Sequence, residues 1–258
     1  MTQLERRALA ALAEPPLPPD EWAEAYRVIP RRGNPEPGRY TLTRTPYWRE
    51  PLQALGPRSP HEFVTIMKSP QTGASELSRT AIGYWVDTSA DPVLLLFPTE
   101  GSAREQLDER VGPMLRETPR LARWITARAR DFSLDEIALA HCTIYPAWAS
   151  SPQATASRPI RFVVLEETDK YEGSAREAPP DKLAEHRTTT YRHRRRVLAI
   201  STPTTKLGTI YRLWRTTTDR RHWHSPCPAC GVVDRWTWES FRWDGRGVVR
   251  EDDEADAR

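Results

Sequence analysis

Four short apolar runs recur along the chain, and each is followed by a polar turn and then by a segment with helical periodicity. The runs are Phe63–Met67, Val93–Phe97, Arg161–Leu165 and Val197–Ile200. Short, fully apolar strands that alternate with helices are typical of a parallel sheet covered on both faces. The pattern therefore predicts an α/β fold built on a mostly parallel sheet with helices on both faces.

The segments between these runs are predicted to be mainly helical. Pro15–Pro19 ends the first helix, Asp20 is expected to cap the second, and Arg31–Tyr40 is predicted to be a loop. Part of Ile137–Tyr145 is expected to form a strand. The predicted helices are 3–13, Glu21–Tyr26, Glu76–Tyr84, Gly101–Leu115, Leu121–Arg130 and Asp181–Thr190.

The distribution of prolines, cysteines and charge divides the chain into three predicted parts. Residues 1–39 form a helical and proline-rich arm, residues 40–220 the main domain, and residues 221–258 a cysteine-containing segment with an acidic tail. Cys227 and Cys230 have the spacing of half a zinc ribbon, but no second CxxC follows. Because a structural zinc ion takes four ligands, the sequence predicts a partial zinc-ribbon-like appendage with an incomplete site.

The ends of the four apolar strands carry the polar residues that are best suited to bind a ligand or to take part in catalysis. In parallel α/β sheets, ligands bind at the carboxyl ends of the strands. We therefore expect these ends to converge on one site. They carry Lys68–Ser75, Pro98 with Thr99, Glu166 with Glu167, and Ser201 with Thr202.

The loop after the first strand is similar to a phosphate-binding loop. Against the pattern G-x-x-x-x-G-K-[ST], Gly73 and Ser75 fit, whereas Ala74 replaces the lysine and Lys68 stands at the head of the loop. Only four of the 38 basic residues are lysines, so this placement is notable. A strand–turn–helix without a ligand is the alternative. The candidate phosphate-binding residues are Lys68, Ser69, Pro70, Gln71, Thr72, Gly73, Ala74 and Ser75.

The remaining strand ends supply what hydrolysis of a nucleoside triphosphate requires. Ser75 offers a hydroxyl and Glu166 a carboxylate for Mg²⁺, while the adjacent Glu167 is placed to polarise the attacking water. The alternative for the glutamate pair is a solvated turn. Ser201 and Thr202 are candidates for sensing the γ-phosphate, although a polar turn would look the same.

Two further features bear on ligands. Tyr47 precedes the phosphate loop and is expected either to stack on a purine base or to pack, with Trp48, against the sheet edge. The segment 186–196 is rich in arginine, which suits contacts to DNA phosphates or a role as an arginine finger on a neighbouring subunit; a solvated helix face is the alternative. Its candidate residues are Arg187, Arg192, Arg194, Arg195 and Arg196.

The ordered set of motifs resembles the ATPase domain of the large terminase subunit of tailed phages, of the lambda type. The resemblance covers about residues 40–245, in unbroken order. It rests on the segments TPYW, MKSPQTGAS, FPTEGSA, RFVVLEETDKY, EHRTTTY, STPTTKLGTIYRLW and CPACG.

This resemblance implies a P-loop NTPase fold of the additional-strand, catalytic-glutamate type, with residues 40–220 as the ATPase domain. It implies ATP and Mg²⁺ as cofactors, with Tyr47 at the adenine, Lys68–Ser75 at the phosphates, Glu166 at the metal and Glu167 at the hydrolytic water. Ser201, Thr202 and Pro203 would couple hydrolysis to movement.

The implied function is translocation of double-stranded DNA into a procapsid. The implied partners are double-stranded DNA, the small terminase subunit, the portal and procapsid, and further copies of the chain, in the bacterial host cytoplasm. No apolar run approaches the ~20 residues of a membrane span. The family also carries a C-terminal nuclease, whose carboxylate cluster is not found in these residues, so a fragment or a nuclease located elsewhere is expected.

Ala74 and Glu166 depart from the family pattern, in which a lysine and an aspartate are usual, and impaired hydrolysis is therefore one expectation. Two other functions stay open at this stage. A helicase-type ATPase lobe carries similar motifs in the same order. A catalytically decayed protein that still binds nucleic acid or the capsid would also retain them.

Overall fold

A computed structural model describes residues 16–126, 132–133, 136–151, 158–172, 178–228, 230–235, 237–243 and 248–250. The chain divides into two compact units, Met1–Thr218 and Asp219–Arg258. The three-part division predicted from the sequence stays a prediction. The predicted helix 3–13 and the acidic tail lie outside the described residues.

The first unit alternates helices with strands. Short 3₁₀ turns at Pro46–Trp48, Thr168–Lys170 and Thr189–Tyr191 and a π-helical turn at Leu107–Val111 connect some of them. The helices are α1 (Pro19–Tyr26), α2 (Arg49–Ala54), α3 (Ala74–Thr88), α4 (Glu100–Gln106), α5 (Gly112–Glu117), α6 (Pro119–Ala122), α7 (Pro180–His186) and α8 (Thr209–Thr217). The strands are β1 (Val28–Ile29), β2 (Gly38–Arg39), β3 (Phe63–Met67), β4 (Val93–Phe97), β5 (Ile137–Ala138), β6 (Thr143–Trp148), β7 (Phe162–Glu166) and β8 (Arg196–Ser201).

Six of these strands form the central sheet, in the order β3-β8-β7-β4-β6-β5. Every pairing is parallel except that of the short edge strand β5 with β6. Strand β8 lies between β3, which leads into the candidate phosphate loop, and β7, which ends at the glutamate pair. This is the additional strand that the resemblance implied, and the predicted mostly parallel α/β fold is confirmed.

Successive residues of the central strands point to opposite faces of the sheet, and each face has its own apolar core. On one face Leu95 and Val164 pack with the side chains of α1 to α6. On the other face Leu94 and Val163 pack with residues of α7 and α8. Burial on both sides explains why these strands read as uninterrupted apolar runs.

Several local predictions were wrong at their boundaries. Of the helix predicted at Leu121–Arg130, Leu121 and Ala122 belong to α6, which ends there, and Ile125 forms a bridge to Leu139. Residues 127–130 of this prediction lie outside the described residues. Asp20 was predicted to cap the second helix, but α1 already begins at Pro19, so Asp20 lies inside the helix. The fixed φ of proline suits the first turn of a helix. The predicted loop Arg31–Tyr40 contains β2, which pairs with β1 in an antiparallel ribbon.

The remaining predicted elements were nearly right. Gly101–Leu115 is helical throughout, but α4 and α5 are joined by the π-helical turn. The helix predicted at Asp181–Thr190 is α7 followed by a 3₁₀ turn. Ile137–Tyr145 contains β5 and the beginning of β6.

The second unit contains two small antiparallel ribbons. The first pairs β9 (Ser225–Pro226) with β10 (Val233–Asp234), and the second pairs β11 (Phe241–Trp243) with β12 (Val248–Arg250). Over the part of the chain that the structure describes, no helix has the length and apolar character needed to span a bilayer.

Candidate active site

The carboxyl ends of β3, β8 and β7 lie level with one another. Met67 pairs with Ser201, and Glu166 pairs with Ile200. The pairing continues beyond the strands, because Lys68 N donates to Ser201 O at 3.1 Å and Glu167 N donates to Ile200 O at 2.7 Å. Three of the predicted strand ends therefore meet. The fourth strand, β4, lies beside β7 and ends at Phe97, two residues before Thr99, which caps α4.

The candidate phosphate loop runs from Lys68 to the first turn of α3. Gln71 and Gly73 adopt positive φ angles, 63° and 73°. A left-handed residue directly before the helix turns the chain sharply, and glycine accepts this conformation at little cost. Ser75 is exposed in the first turn of α3, whereas Ala74, at the usual lysine position, is buried. The N-terminus of α3 thus faces outward with the backbone N–H groups and partial positive charge that suit a phosphate.

Two aromatic residues hold this loop from the outside. The Tyr47 hydroxyl donates to Thr72 O at 3.2 Å, and the Trp48 indole N–H donates to the same oxygen at 2.8 Å. The two rings meet edge to face, with centroids 4.9 Å apart. Trp48 is buried, while Tyr47 is half-buried, and burial raises the pKa of its hydroxyl. The ring of Tyr47 therefore lies beside the loop, where a base could reach it, and its hydroxyl anchors the loop.

Lys68 connects the phosphate loop to both other strand ends. Its Nζ donates to Glu167 Oε1 at 2.6 Å and to Thr202 Oγ1 at 2.8 Å. Only about an eighth of its side chain is exposed (12%), so these charge-assisted contacts are partly shielded from water. One ammonium group thus joins the phosphate loop, the glutamate pair and the segment after β8.

Glu167 lies directly after β7 in a left-handed conformation, with φ at 53°. Positive φ is rare for a residue with a side chain and is typical of positions that the surrounding structure holds for function. Burial alone would raise the pKa of its carboxyl, but the hydrogen bond and the charge of Lys68, helped by Lys170, lower that pKa overall. Glu167 is therefore an anion at neutral pH.

Glu166 points elsewhere. Burial raises the pKa of its carboxyl, while the Ser78 hydroxyl and the Arg79 charge, both on α3, partly oppose this effect. The carboxyl therefore lies against the first turns of α3, the helix that presents Ser75. Carboxylate and hydroxyl oxygens are the donors that Mg²⁺ prefers, and the raised pKa of the half-buried Glu166 indicates that neighbouring positive charges do not fully compensate its carboxylate. The donor set of Glu166 and Ser75 fits Mg²⁺.

The three residues expected to couple hydrolysis to movement differ in their surroundings. Thr202 accepts the hydrogen bond from Lys68. Ser201 is fully buried, and its hydroxyl donates to Thr202 O at 3.0 Å and accepts from Asp169 N at 3.3 Å. Pro203 is exposed. Within this segment the Thr202 hydroxyl is the group that faces the loop lysine.

The arginine-rich segment 186–196 leads into the amino end of β8, opposite the strand ends that carry the candidate site. β8 begins at Arg196, which pairs with Phe162 at the start of β7. Arg196 is buried and donates to Gly56 O and Ser59 O, and Arg195 pairs with Glu62 at 2.7 Å. Arg195 and Arg196 therefore have structural partners in the fold. Among the five candidate arginines of this segment, Arg192 and Arg194 are exposed, and Arg187 is half-buried.

The cysteines of the second unit form a tight turn. Cys227 is buried, Cys230 is exposed, and Cys230 N donates to Cys227 Sγ at 3.4 Å. Among residues whose placement is described, no group of three or more His, Cys, Asp or Glu side chains could hold a metal ion. The zinc prediction gains no support.

Sequence reasoning missed three groups around the site. Trp48 was considered only as a packing partner, and its pairing with tyrosine was the available signal. A buried network joins Glu76 of α3 to Arg27 and Arg79, and nothing in the local sequence marks Arg27. Asp169 lies within the segment RFVVLEETDKY, three residues after Glu166, but the sequence predicted no role for it.

The sheet order, the loop at the N-terminus of α3 and the acids at the end of β7 define a P-loop type of α/β nucleotide-binding domain. Comparison with known families makes this specific, because the family described as phage terminase large subunit gpA, ATPase domain, matches residues 34–257. The chain belongs to this family.

The chain is also similar to individual phage proteins. The terminase large subunit of Escherichia phage lambda is 29% identical over 133 residues, which are 50% of this chain and 20% of that protein. The crystal structure of the HK97 bacteriophage large terminase superposes with a TM-score of 0.59 at 11% identity, over 76% of this chain and 40% of that one. The ATPase domain of the Thermus phage P74-26 large terminase gives a TM-score of 0.47 at 19% identity, over 61% and 65% of the two chains.

Proposed function

We propose that this chain is the ATP-hydrolysing motor domain of a terminase that packages DNA. Membership of the family supports this proposal, and one observation carries the chemistry: Lys68 Nζ contacts both Glu167 and Thr202. A lysine, a candidate base and a sensing hydroxyl within one set of hydrogen bonds suit a reaction in which the bound phosphates change. A terminase's small subunit, a portal, a procapsid, double-stranded DNA and further copies of the chain in the host cytoplasm are the proposed partners and setting.

In this proposal, the phosphate loop residues Lys68–Ser75 cradle the triphosphate with backbone N–H groups at the start of α3. Tyr47 borders the loop on the side where the adenine would lie, and its hydroxyl keeps Thr72 in place. Ser75 and Glu166 would hold Mg²⁺, which neutralises charge on the phosphates when bound. Ala74 stands at the usual lysine position of the loop, and Lys68 supplies the missing ammonium group.

Glu167 acts as the residue that orients and deprotonates the attacking water. Its lowered pKa keeps the carboxylate charged and able to accept a hydrogen bond from water. When the triphosphate draws Lys68 toward itself, both the Glu167 carboxylate and the Thr202 hydroxyl lose this partner. Binding of substrate thereby frees the base and signals to the segment after β8. Arg192 and Arg194 are the proposed candidates for contacts with DNA or with a neighbouring subunit's nucleotide.

Replacing Glu167 by glutamine tests the assignment. The amide keeps the size of the side chain but cannot accept a proton, so ATP turnover should fall by at least about 100-fold, while binding of a fluorescent ATP analogue persists. Glu105→Gln, an exposed change on α4, is the matched control and should leave turnover unchanged. Full turnover in Glu167→Gln would remove Glu167 from its role. A wild-type chain that binds no nucleotide would favour the decayed alternative.

A further inference from the structure

Asp169 occupies an unusual position between the acid pair and the segment that follows β8. It lies two residues after Glu167, in the 3₁₀ turn Thr168–Lys170. We define the coupling loop as residues 202–208, between the end of β8 and the N-terminus of α8. The Asp169 carboxylate bonds to this loop and to the first turn of α8. Oδ2 accepts from Thr204 N at 2.9 Å and from Thr204 Oγ1 at 3.1 Å, and Oδ1 accepts from Ile210 N at 2.7 Å.

These bonds satisfy groups that would otherwise lack partners. Ile210 N belongs to the first turn of α8, where backbone N–H groups have no acceptor within the helix. The residue before α8 is Gly208, which has no side chain to cap it, so Asp169 performs the capping from another element. The Asp169 backbone N–H also donates to the buried Ser201 hydroxyl at 3.3 Å. Asp169 thus contacts the coupling loop, the end of β8 and α8 at once.

Gly208 independently indicates that the sequence is adapted to this position of the Asp169 carboxylate. A Cβ on Gly208 would lie 2.1 Å from Asp169 Oδ2 and 2.8 Å from Oδ1, far inside contact distance. The backbone at Gly208 is ordinary, with φ at −62° and ψ at 154°, so its conformation does not require glycine. The approach of the carboxylate is what requires it.

The contacts of Asp169 connect the acid pair to two other parts of the unit. Ile210 and Leu213 anchor α8 in the apolar core under the sheet. At the other end of the helix, Thr217 Oγ1 lies 3.2 Å from Thr65 Oγ1 in β3, the strand that leads to the phosphate loop. The tip of the coupling loop points outward, and Leu207 is 95% exposed. The loop is therefore held from within at Asp169 and is open to solvent at its tip.

We propose that Asp169 is a positioning residue, which fixes the coupling loop so that the Thr202 hydroxyl meets Lys68 and so that a change at Glu167 is passed to the loop and α8. This inference rests on the proposed function. It deepens that function by naming the side chain that joins the acid pair to the coupling loop. Asp169 touches none of the phosphate-loop residues in the described contacts, so it should act on turnover rather than on nucleotide binding.

The experiment compares four forms of the full chain: wild type, Asp169→Ala, Gly208→Ala and the double variant. Asp169→Ala should lower kcat on the order of tenfold or more, while the Kd for ATP changes by less than about threefold. Gly208→Ala should do the same, because its Cβ displaces the carboxylate. The double variant should be no slower than Asp169→Ala alone, since the collision partner is gone.

Hydrogen exchange measures an effect that a purely structural role of Asp169 would not produce. In wild type, a non-hydrolysable ATP analogue should change the exchange rates of residues 202–208, and Asp169→Ala should lose this response while still binding the analogue. The matched control is Asp181→Ala, which removes another tether of α8, the 2.8 Å contact of Asp181 with Arg212. This control should lower Tm but keep the response.

The outcomes separate the two proposals. Unchanged kcat and an intact exchange response in Asp169→Ala would overturn the inference and leave the proposed function standing. A parallel loss of Tm, ATP affinity and kcat would also overturn it, because Asp169 would then only support the fold. A wild-type chain that neither binds nor hydrolyses ATP would overturn the proposed function itself.

Discussion

At the scale of single residues, the site is governed by how one lysine divides its hydrogen bonds. Lys68 contacts Glu167 and Thr202 from the head of the phosphate loop, and Ala74 leaves the usual lysine position buried and apolar. The sequence predicted that Lys68 would serve the phosphates. It did not predict the contacts of Lys68 with Glu167 and Thr202, because they depend on how three strand ends are aligned.

Lys68→Gln is expected to weaken both ATP binding and the stability of the fold. The Kd for ATP should rise by about tenfold or more, and the free energy of unfolding at neutral pH should fall by about 2 kcal/mol, since a charge-assisted bond is lost. Isothermal titration and urea unfolding measure the two effects. Lys182→Gln, which removes a lysine–glutamate pair with Glu185 that is more exposed than the Lys68–Glu167 pair, is the control and should change neither.

The pH dependence of this difference has a definite sign. Because Lys68 lowers the pKa of Glu167 below its ordinary value of 4.5, the contact stabilises the fold above that pH and is lost as acid protonates the carboxyl. The stability gap between wild type and Lys68→Gln should therefore be largest at neutral pH and should close on acidification. A gap that stays constant to low pH would contradict the assigned contact.

At the scale of elements, ion pairs of Glu76 fix the first turn of α3. Glu76 pairs with the fully buried Arg27 at the end of α1 and with Arg79 one turn later, where Arg79 Nε donates to Glu76 Oε1 at 3.0 Å. Burial raises the pKa of Glu76, but the charges of Arg27 and Arg79 lower it to about 2. The N-terminal segment of the unit is thereby locked to the helix that carries Ser75.

Replacing Glu76 by glutamine should destabilise the fold by about 3–5 kcal/mol, because a buried guanidinium loses its countercharge. In wild type, stability should rise with pH between about 2 and 4.5, since the unfolded chain binds this proton more tightly than the folded chain does. That part of the pH dependence should be absent in Glu76→Gln. Urea unfolding across this range measures it, and Glu105→Gln should leave the curve unaltered; a retained slope in Glu76→Gln would contradict the pairing.

At the scale of the whole molecule, the proposed catalytic residues all belong to the first unit. Among the residues that the structure describes, the buried members of the two apolar cores on the faces of the central sheet lie within Trp22–Leu213. The second unit begins at Asp219 and holds the CxxC turn. The proposed chemistry therefore belongs to the unit Met1–Thr218.

A chain ending at Thr218 is expected to fold and to keep nucleotide binding. It should unfold in one cooperative transition, and its Kd for ATP should agree with that of the full chain within about threefold, because no proposed ligand residue is removed. Calorimetry and titration with a fluorescent ATP analogue provide the measurements. A 1–218 chain that aggregates or binds no analogue would show that the second unit is needed for the first.

The apolar runs by themselves determined the four parallel strands and their coverage on both faces, since strands buried on two sides can hardly be anything but continuously apolar. The strand-end rule also placed Lys68, Glu166, Glu167 and Thr202 at one edge. Helix ends were predicted less well, and Leu121–Arg130 failed because β-bridging of Ile125 outweighed local helical preference.

Only the tertiary structure decided which side chains meet. The order of strands puts β8 between β3 and β7, and this order brings Asp169 to Thr204 and Lys68 to Glu167. The packing of α1 against α3 brings Arg27 to Glu76, and all three pairs are separated by many residues. Sequence periodicity reports whether a residue faces the core or the solvent. It carries no information on strand order or on the direction of a long polar side chain, because both are set by packing between distant elements.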